Sequence, residues 1–304
     1  MCVRIDLTAM NGRRIVPLLA ALQLVILATG QAQVDQHALA QRILNGSVAD
    51  QDGAVWSAMT LGPQRTGPEL RAALIALLDR NIGLVDEARK RGEAVSVSVG
   101  PEFVAHVAHA VSQLEDPQAI PVLARALGKT GSTLVPDALA DFGDRAAGAV
   151  LRVVTDPEAH YEAVSDGLLS LRFMVEGREA RPLSAGTLDE IRGAAKQRLT
   201  GKRYAPTLKQ YAPTLWKAID LAVVVGDPEL RRIVESLAAD RGEIVARGVE
   251  HAGSIEATQR LAAGRLANLG RPFNPRYRTP AERARALGVP ARGNDGPAVV
   301  RPPR

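Results

Sequence analysis

An all-α fold, an α-solenoid of irregular helix pairs, is what this sequence predicts, and three observations lead to it. Apolar residues recur with the helical period of about 3.6 residues through most of residues 33–270. Asp-Pro dipeptides begin at Asp116, Asp156 and Asp227, and each offers a capping carboxylate followed by a proline for the first helical position. Glycine, aspartate and proline divide the periodic segments into units of roughly 25–45 residues, which is typical of helical repeats.

The first Asp-Pro segment gives the clearest helix. Asp116 can accept the unpaired backbone N–H groups of the first turn, and Pro117 has no N–H to satisfy. Gly128 can end the helix in a left-handed conformation. This phase predicts that Leu123 is buried and that Arg125 is exposed. The apolar stripe consists of Ile120, Leu123, Ala124 and Leu127.

The same period predicts further helices on both sides of this segment. The last of them is expected to break near Gly253. In chain order the other predicted helices cover residues 70–78, 104–111, 135–142, 146–154, 158–175, 188–199, 213–225 and 243–268.

Three stretches between the helices lack the helical period. Residues 94–99 alternate with period two, which predicts an extended segment or a short strand. Residues 177–186 are expected to form a long loop. Residues 204–210 are copied at once by 211–217, and the second copy is expected to open a helix at Pro213. Insertions of this kind can carry binding in a solenoid, and a slippage duplication is the alternative.

Residues 102–128 resemble a bacterial HEAT repeat of the kind also found in phycobilisome-lyase-like proteins. Residues 132–154 form a second, weaker match, and 50–80 and 212–240 are similar in outline. The arginine often found early in the first HEAT helix is absent, since residues 103–106 read Phe-Val-Ala-His. The resemblance implies stacked helix pairs and is nearly silent on function; an ordinary all-α domain is the alternative. The match rests on Val104, Ala108, Leu114 and the segment from Asp116 to Gly128.

Residues 1–32 are predicted to be a secretory signal peptide. The pair Arg13-Arg14 precedes an apolar run over 15–28, and small residues follow up to Ala32. The run is shorter than the about 20 residues that a membrane span needs, and a retained anchor is the alternative. We therefore expect an exported protein, periplasmic or extracellular. The only cysteine is Cys2, so cleavage would leave a chain without thiols or disulfides.

The C-terminal residues 271–304 are predicted to be a basic, disordered tail. They hold eight arginines against Glu282 and Asp295, together with seven prolines. Such a composition favours disorder and a weak contact with an anionic envelope surface; a solvated tail without a partner is the alternative. Nucleic acid is not expected as a partner of an exported chain. Because the tail is expected not to pack, a chain ending at Gly270 should melt like the longer one.

No residue is predicted to be catalytic, to bind a cofactor or to hold a metal. No Gly-x-Ser-x-Gly, His-Glu-x-x-His, P-loop or dinucleotide-binding glycine pattern appears where a strand–turn–helix would support it. His106 and His109 share a helix face, but no third ligand of a zinc site accompanies them. Three aspartates lie near one turn, where they are expected to cap helices rather than bind a cation. They are Asp137, Asp141 and Asp144.

Two classes of function remain open. The first is a non-enzymatic scaffold that binds an unknown protein or an extended ligand on the helical-repeat surface. The second is an enzyme, or an enzyme subunit, with a site on the concave face of the solenoid. Trp56 and Trp216 could serve as exposed anchors, but each is expected to fill the core of its repeat.

Overall fold

The computed structural model describes residues 36–92, 101–201, 212–269 and 271–273. Within these ranges the chain forms thirteen α-helices and no strand, so the all-α prediction is confirmed. No helix among the described residues is long and apolar enough to cross a membrane. The predicted signal peptide 1–32, the extended stretch 94–99 and the first copy of the duplication, 204–210, lie outside the described residues.

The chain divides into two compact units, the first ending at Val122 and the second starting at Leu123. In the first unit, α4 packs on α2 and α3 through small and aliphatic side chains. Ser47 and Asp50 form a capping box at the start of α2, which satisfies backbone N–H groups at both positions. The helices of this unit are α1 (36–45), α2 (Val48–Leu61), α3 (Pro68–Lys90) and α4 (Pro101–Gln113).

The second unit is built from consecutive helices that follow a short helix, α5, at the boundary. From α6 to α13 each helix packs on the next, and most also pack on the next but one. Stacked helix pairs require contacts of this order, but they do not by themselves establish a solenoid, which stays a prediction. The helices are α5 (Ile120–Ala126), α6 (Leu134–Asp141), α7 (Asp144–Thr155), α8 (Tyr161–Glu176), α9 (Ala185–Thr200), α10 (Pro213–Val225), α11 (Pro228–Ala239), α12 (Arg241–Val245) and α13 (Ala252–Leu266).

Two of the three Asp-Pro predictions are confirmed. Asp116 accepts the backbone N–H of Gln118 at 3.0 Å, and one 3-10 turn leads into α5. Asp227 accepts the N–H groups of Glu229 and Leu230 at the start of α11. Leu123 is buried and Arg125 is exposed, as the helix phase predicted.

The third Asp-Pro prediction is wrong. Asp156 accepts the N–H of Glu158 at 2.9 Å, but only a turn follows, and α8 begins at Tyr161. Asp156 instead ends α7, because its own N–H donates to the carbonyl of Arg152. Its carbonyl also accepts a hydrogen bond from Arg198 of α9 at 2.9 Å, which holds this residue at the end of the earlier helix.

The predicted C-terminal helix is broken earlier than expected. The break lies at residues 246–251, between α12 and α13, and Gly253 is inside α13. Arg247 lies in the break, is only 8% exposed, and donates to the carbonyls of Leu199 and Glu243. This buried arginine ties the break to the end of α9. Gly248 follows with a left-handed φ of 86°, which a side chain would disfavour.

Candidate functional site

Trp56 lies on the surface of the first unit, and the expectation that it fills a core is wrong. The residue is 49% exposed, because α2 buries Ala54, Val55 and Ala58 and turns the indole outward. The indole meets the ring of His106 on α4 edge to face, with centroids 5.3 Å apart. Trp56 therefore joins α2 to α4 on the outside of the unit.

One stripe of α4 faces solvent beside this indole. Its members are spaced four, three and four residues apart, which places them on one helix face. The imidazole Nδ1 of His106 lies 3.7 Å from a carboxylate oxygen of Asp52, and His109 contacts Gln113 at 3.1 Å. The two histidines thus belong to a polar surface; the described ranges contain no group of three ligands that could hold a metal ion. The stripe consists of Glu102, His106, His109 and Gln113.

These side chains form what we call the Trp56 surface: Trp56, Asp52, His106 and His109. Among the large apolar side chains that the described chain exposes, Trp56 is the only aromatic one; the others are Val48, Leu84 and Val245. An exposed indole can contribute strongly to a protein–protein contact, because the ring buries a large area and its N–H can still form a hydrogen bond.

A second cluster, buried in the second unit, joins three helices by charge. Asp220 of α10 accepts a hydrogen bond from Arg172 of α8 at 2.8 Å and from Arg265 of α13 at 2.7 Å. The Asp220 side chain is 7% exposed and that of Arg172 is 11% exposed. Because one carboxylate serves both guanidinium groups, this charge cluster ties α8, α10 and α13 together.

Glu176 and Phe273 complete the charge cluster. The Glu176 side chain is fully buried, lies 3.7 Å from the Arg172 guanidinium, and accepts the backbone N–H of Phe273 at 2.6 Å. The Phe273 ring lies 4.5 Å from the guanidinium carbon of Arg265 and 5.8 Å from that of Arg172. The packed chain therefore extends past Arg271, the predicted start of the tail. Ending the chain at Gly270 would remove these contacts, so we now expect a chain that ends there to melt at a lower temperature than the longer one.

Two titratable side chains near the charge cluster have shifted pKa values. Burial raises the pKa of Asp166 on α8, although the N–H of Gly128, at 2.9 Å, partly opposes the shift. Burial lowers the pKa of Lys217 on α10, and the positive charge of Arg172 lowers it further. In both residues desolvation of the charged form is the main cause.

Trp216, Asp141 and Asp144 have structural partners. Trp216 donates its indole N–H to Thr258 at 2.8 Å, so it links α10 to α13. Asp141 pairs with Arg181, and Asp144 accepts the backbone N–H of Ser184 at 3.0 Å. These aspartates hold the loop before α9, a role that the sequence analysis did not anticipate.

Sequence reasoning missed the charge cluster, although a signal was present. Asp220 stands alone within the apolar stretch 218–224, and Glu176 directly follows a run of buried apolar residues. An isolated carboxylate in a helix that is otherwise buried must find a partner. The pattern could have identified these residues as buried and paired, but not their partners.

Comparisons with family models, with curated proteins and with solved structures gave no match. The resemblance to HEAT repeats therefore stays a prediction that rests on the residues quoted for it.

Proposed function

We propose that this protein is an exported, non-enzymatic scaffold that binds a protein partner through the Trp56 surface of its first unit. The single observation that carries the proposal is the 49% exposure of Trp56 beside His106 and Asp52. The chain has only two tryptophans and is 3% aromatic. An indole held at the surface loses little conformational freedom on binding and buries a large apolar area, which favours a contact anchor.

An enzyme is the alternative, and the observation in its favour is the shifted pair Asp166 and Lys217. Perturbed pKa values mark catalytic groups in many enzymes. Here the carboxylate of Asp166 already accepts the backbone N–H of Gly128, which ties the turn after α5 to α8. Both pKa shifts are caused mainly by burial. A role in packing explains the pair without a substrate, so we favour the scaffold.

The contact can be tested with a photo-reactive amino acid at position 57, next to Trp56, in producing cells. A defined crosslinked product should form in the parent, and Trp56→Ala should abolish it. Leu84→Ala is the matched control, because Leu84 is similarly exposed at 47% in the same unit. With the purified partner, Trp56→Ala should weaken binding by roughly 30-fold, the effect of a hot-spot residue of about 2 kcal/mol. An equal loss of crosslinking and binding in both variants, or no loss in either, would count against the Trp56 surface as the contact site.

Export is tested separately by the N-terminal sequence of protein from the cell envelope. We expect the mature chain to begin near Gln33, because Ala32 ends the small-residue stretch after the apolar run. Recovery of Met1 on the envelope protein would favour a retained anchor instead.

We further propose that residues 274–304 make a weak contact with an anionic envelope surface. Seven arginines against two acidic residues support this proposal. The test compares the mature chain with one ending at Phe273, which keeps the contacts of that residue. Only the longer chain should bind vesicles that contain anionic lipid, and binding should weaken as salt rises, because ions screen exposed charges beyond about 8 Å at physiological strength. If neither chain binds at low salt, the tail has no such partner.

A further inference from the structure

Residues 271–273 follow α13 in the sequence, and Phe273 contacts the charge cluster. We propose that Phe273 is a latch that clamps the last turn of α13 to α8, and that its release lets this turn, which carries Arg265, open locally while the rest of the unit remains folded. Three features carry the proposal: the position of the phenyl ring, the bond to Glu176, and the partial burial of the latch.

The phenyl ring covers one side of Arg265. The guanidinium of Arg265 donates a hydrogen bond to Asp220 at 2.7 Å. The centroid of the Phe273 ring lies 4.5 Å from the guanidinium carbon of Arg265. The Arg265 side chain is still 33% exposed, whereas Asp220 is 7% exposed. An aromatic face attracts a guanidinium and shields it from water. Removing the ring therefore opens the charge cluster at Arg265 first.

The backbone of Phe273 supplies the second contact. Its N–H donates to Glu176 at 2.6 Å, and the Glu176 side chain is fully buried. A buried carboxylate depends on such donors, since a charged acceptor without enough donors is costly. The same residue places its ring 4.5 Å from the guanidinium carbon of Arg265 and 5.8 Å from that of Arg172.

The latch is less buried than the helix that it holds. Phe273 is only half-buried and Arg271 is exposed, whereas α13 packs on α10, α11 and α12. Segments with few buried contacts open locally at a lower free energy than the whole fold. Release of Phe273 should therefore precede unfolding of α13.

Limited digestion of the full mature chain with trypsin tests the latch, because trypsin cuts after arginine. Fragments are identified by intact mass. Phe273→Ala should be cut after Arg265 at least about tenfold faster than the parent, since protection falls with the free energy of local opening. Phe273→Trp should restore protection by keeping an aromatic face. Arg271→Ala is the matched neighbour and should behave like the parent.

Two results would overturn the proposal. One is cleavage after Arg265 at the same rate in Phe273→Ala and the parent. The other is an equal rise in cleavage after Arg192 and Arg231, which lie on α9 and α11, because this would indicate unfolding of the unit rather than release of a latch. If Phe273→Ala does not fold, Glu176→Gln serves instead: it retains an acceptor without the charge, and cleavage after Arg265 should rise to an intermediate rate.

Discussion

Replacing Asp220 by Asn is the sharpest perturbation that the second unit offers. The carboxylate of Asp220 bonds both Arg172 and Arg265; the Asp220 and Arg172 side chains are largely removed from solvent, and that of Arg265 is 33% exposed. Asparagine keeps the shape and one acceptor oxygen. Its amide group, however, points two donors at a guanidinium, which has only donors. The variant thus leaves the buried Arg172 and the partly exposed Arg265 without the negative charge that held them together.

The expected cost follows from this burial. Breaking a buried ion pair by removing one partner costs about 3–5 kcal/mol, because the remaining charge stays desolvated. For a unit of this size, 1 kcal/mol lowers the melting temperature by roughly 2–4 °C, so the shift should be about 6–20 °C. The matched control is Glu235→Gln, which removes the pair with Arg231 at 2.7 Å on α11. Both side chains of that pair are about half exposed, and the expected cost is about 0.3–0.5 kcal/mol.

Urea unfolding at neutral pH, followed by tryptophan fluorescence, measures the difference. In a Trp56→Phe background Trp216 is the only tryptophan, and its bond to Thr258 makes its emission a reporter of α10 against α13. A loss below about 1 kcal/mol in Asp220→Asn, or a loss equal to that of Glu235→Gln, would refute the reasoning, because it would mean that water reaches the charge cluster. High salt should weaken the Glu235 pair and leave the Asp220 effect nearly unchanged, since buried pairs are screened less.

Three further predictions concern single positions. Leu123→Ala should cost about 2–5 kcal/mol in thermal melts and Arg125→Ala no more than about 0.5 kcal/mol, because only Leu123 is buried; equal shifts would contradict the observed phase of α5. Gly128→Ala should destabilise by about 2 kcal/mol or more, since its φ is 72° and a Cβ would lie 2.3 Å from backbone, whereas Gly148→Ala in open helix should be neutral or stabilising in the same melts. Burial raises the pKa of Asp166, so the protonated carboxyl group is the form that suits the folded protein. Its contribution to the free energy of unfolding is full below pH 3.8 and is lost as pH rises through the folded-state pKa. Asp166→Asn should therefore match the parent near that acidic limit and exceed it at neutral pH in urea midpoints; a variant that is weaker at neutral pH would show that the charged form is favoured.

The sequence predicts a helix boundary correctly where that boundary depends only on residues adjacent in the chain. Helix α10 was predicted at 213–225 and is found at Pro213–Val225, since Pro213 suits the first turn and Gly226 takes a left-handed φ of 74°. The same local logic failed at Asp156, where Arg198 of a later helix binds the carbonyl and fixes the end of α7. Similar capping patterns in the sequence thus predicted one helix boundary correctly and another wrongly, because a later helix packs beside the second one.

The candidate sites were beyond local reasoning for different reasons. Asp220 is 48 residues from Arg172 and 45 from Arg265, so only the packing of α8, α10 and α13 brings the three together. Residue type alone favours burial of Trp56, because an indole is a large apolar group that fills a core well. The small residues of α2 in fact set the helix phase, and they turn Trp56 outward.

The two tryptophans differ in how far the fold already uses their side chains. Trp216 donates its indole N–H to Thr258, and the nearby Asp220 accepts hydrogen bonds from both Arg172 and Arg265. Groups that are paired in this way have little left to offer a partner, because binding would first have to break their contacts. Trp56 keeps half of its surface in water. A protein that binds a partner through apolar side chains must keep some apolar area in solvent, which lowers its own solubility. Of the two indoles, only that of Trp56 is among the exposed large apolar side chains.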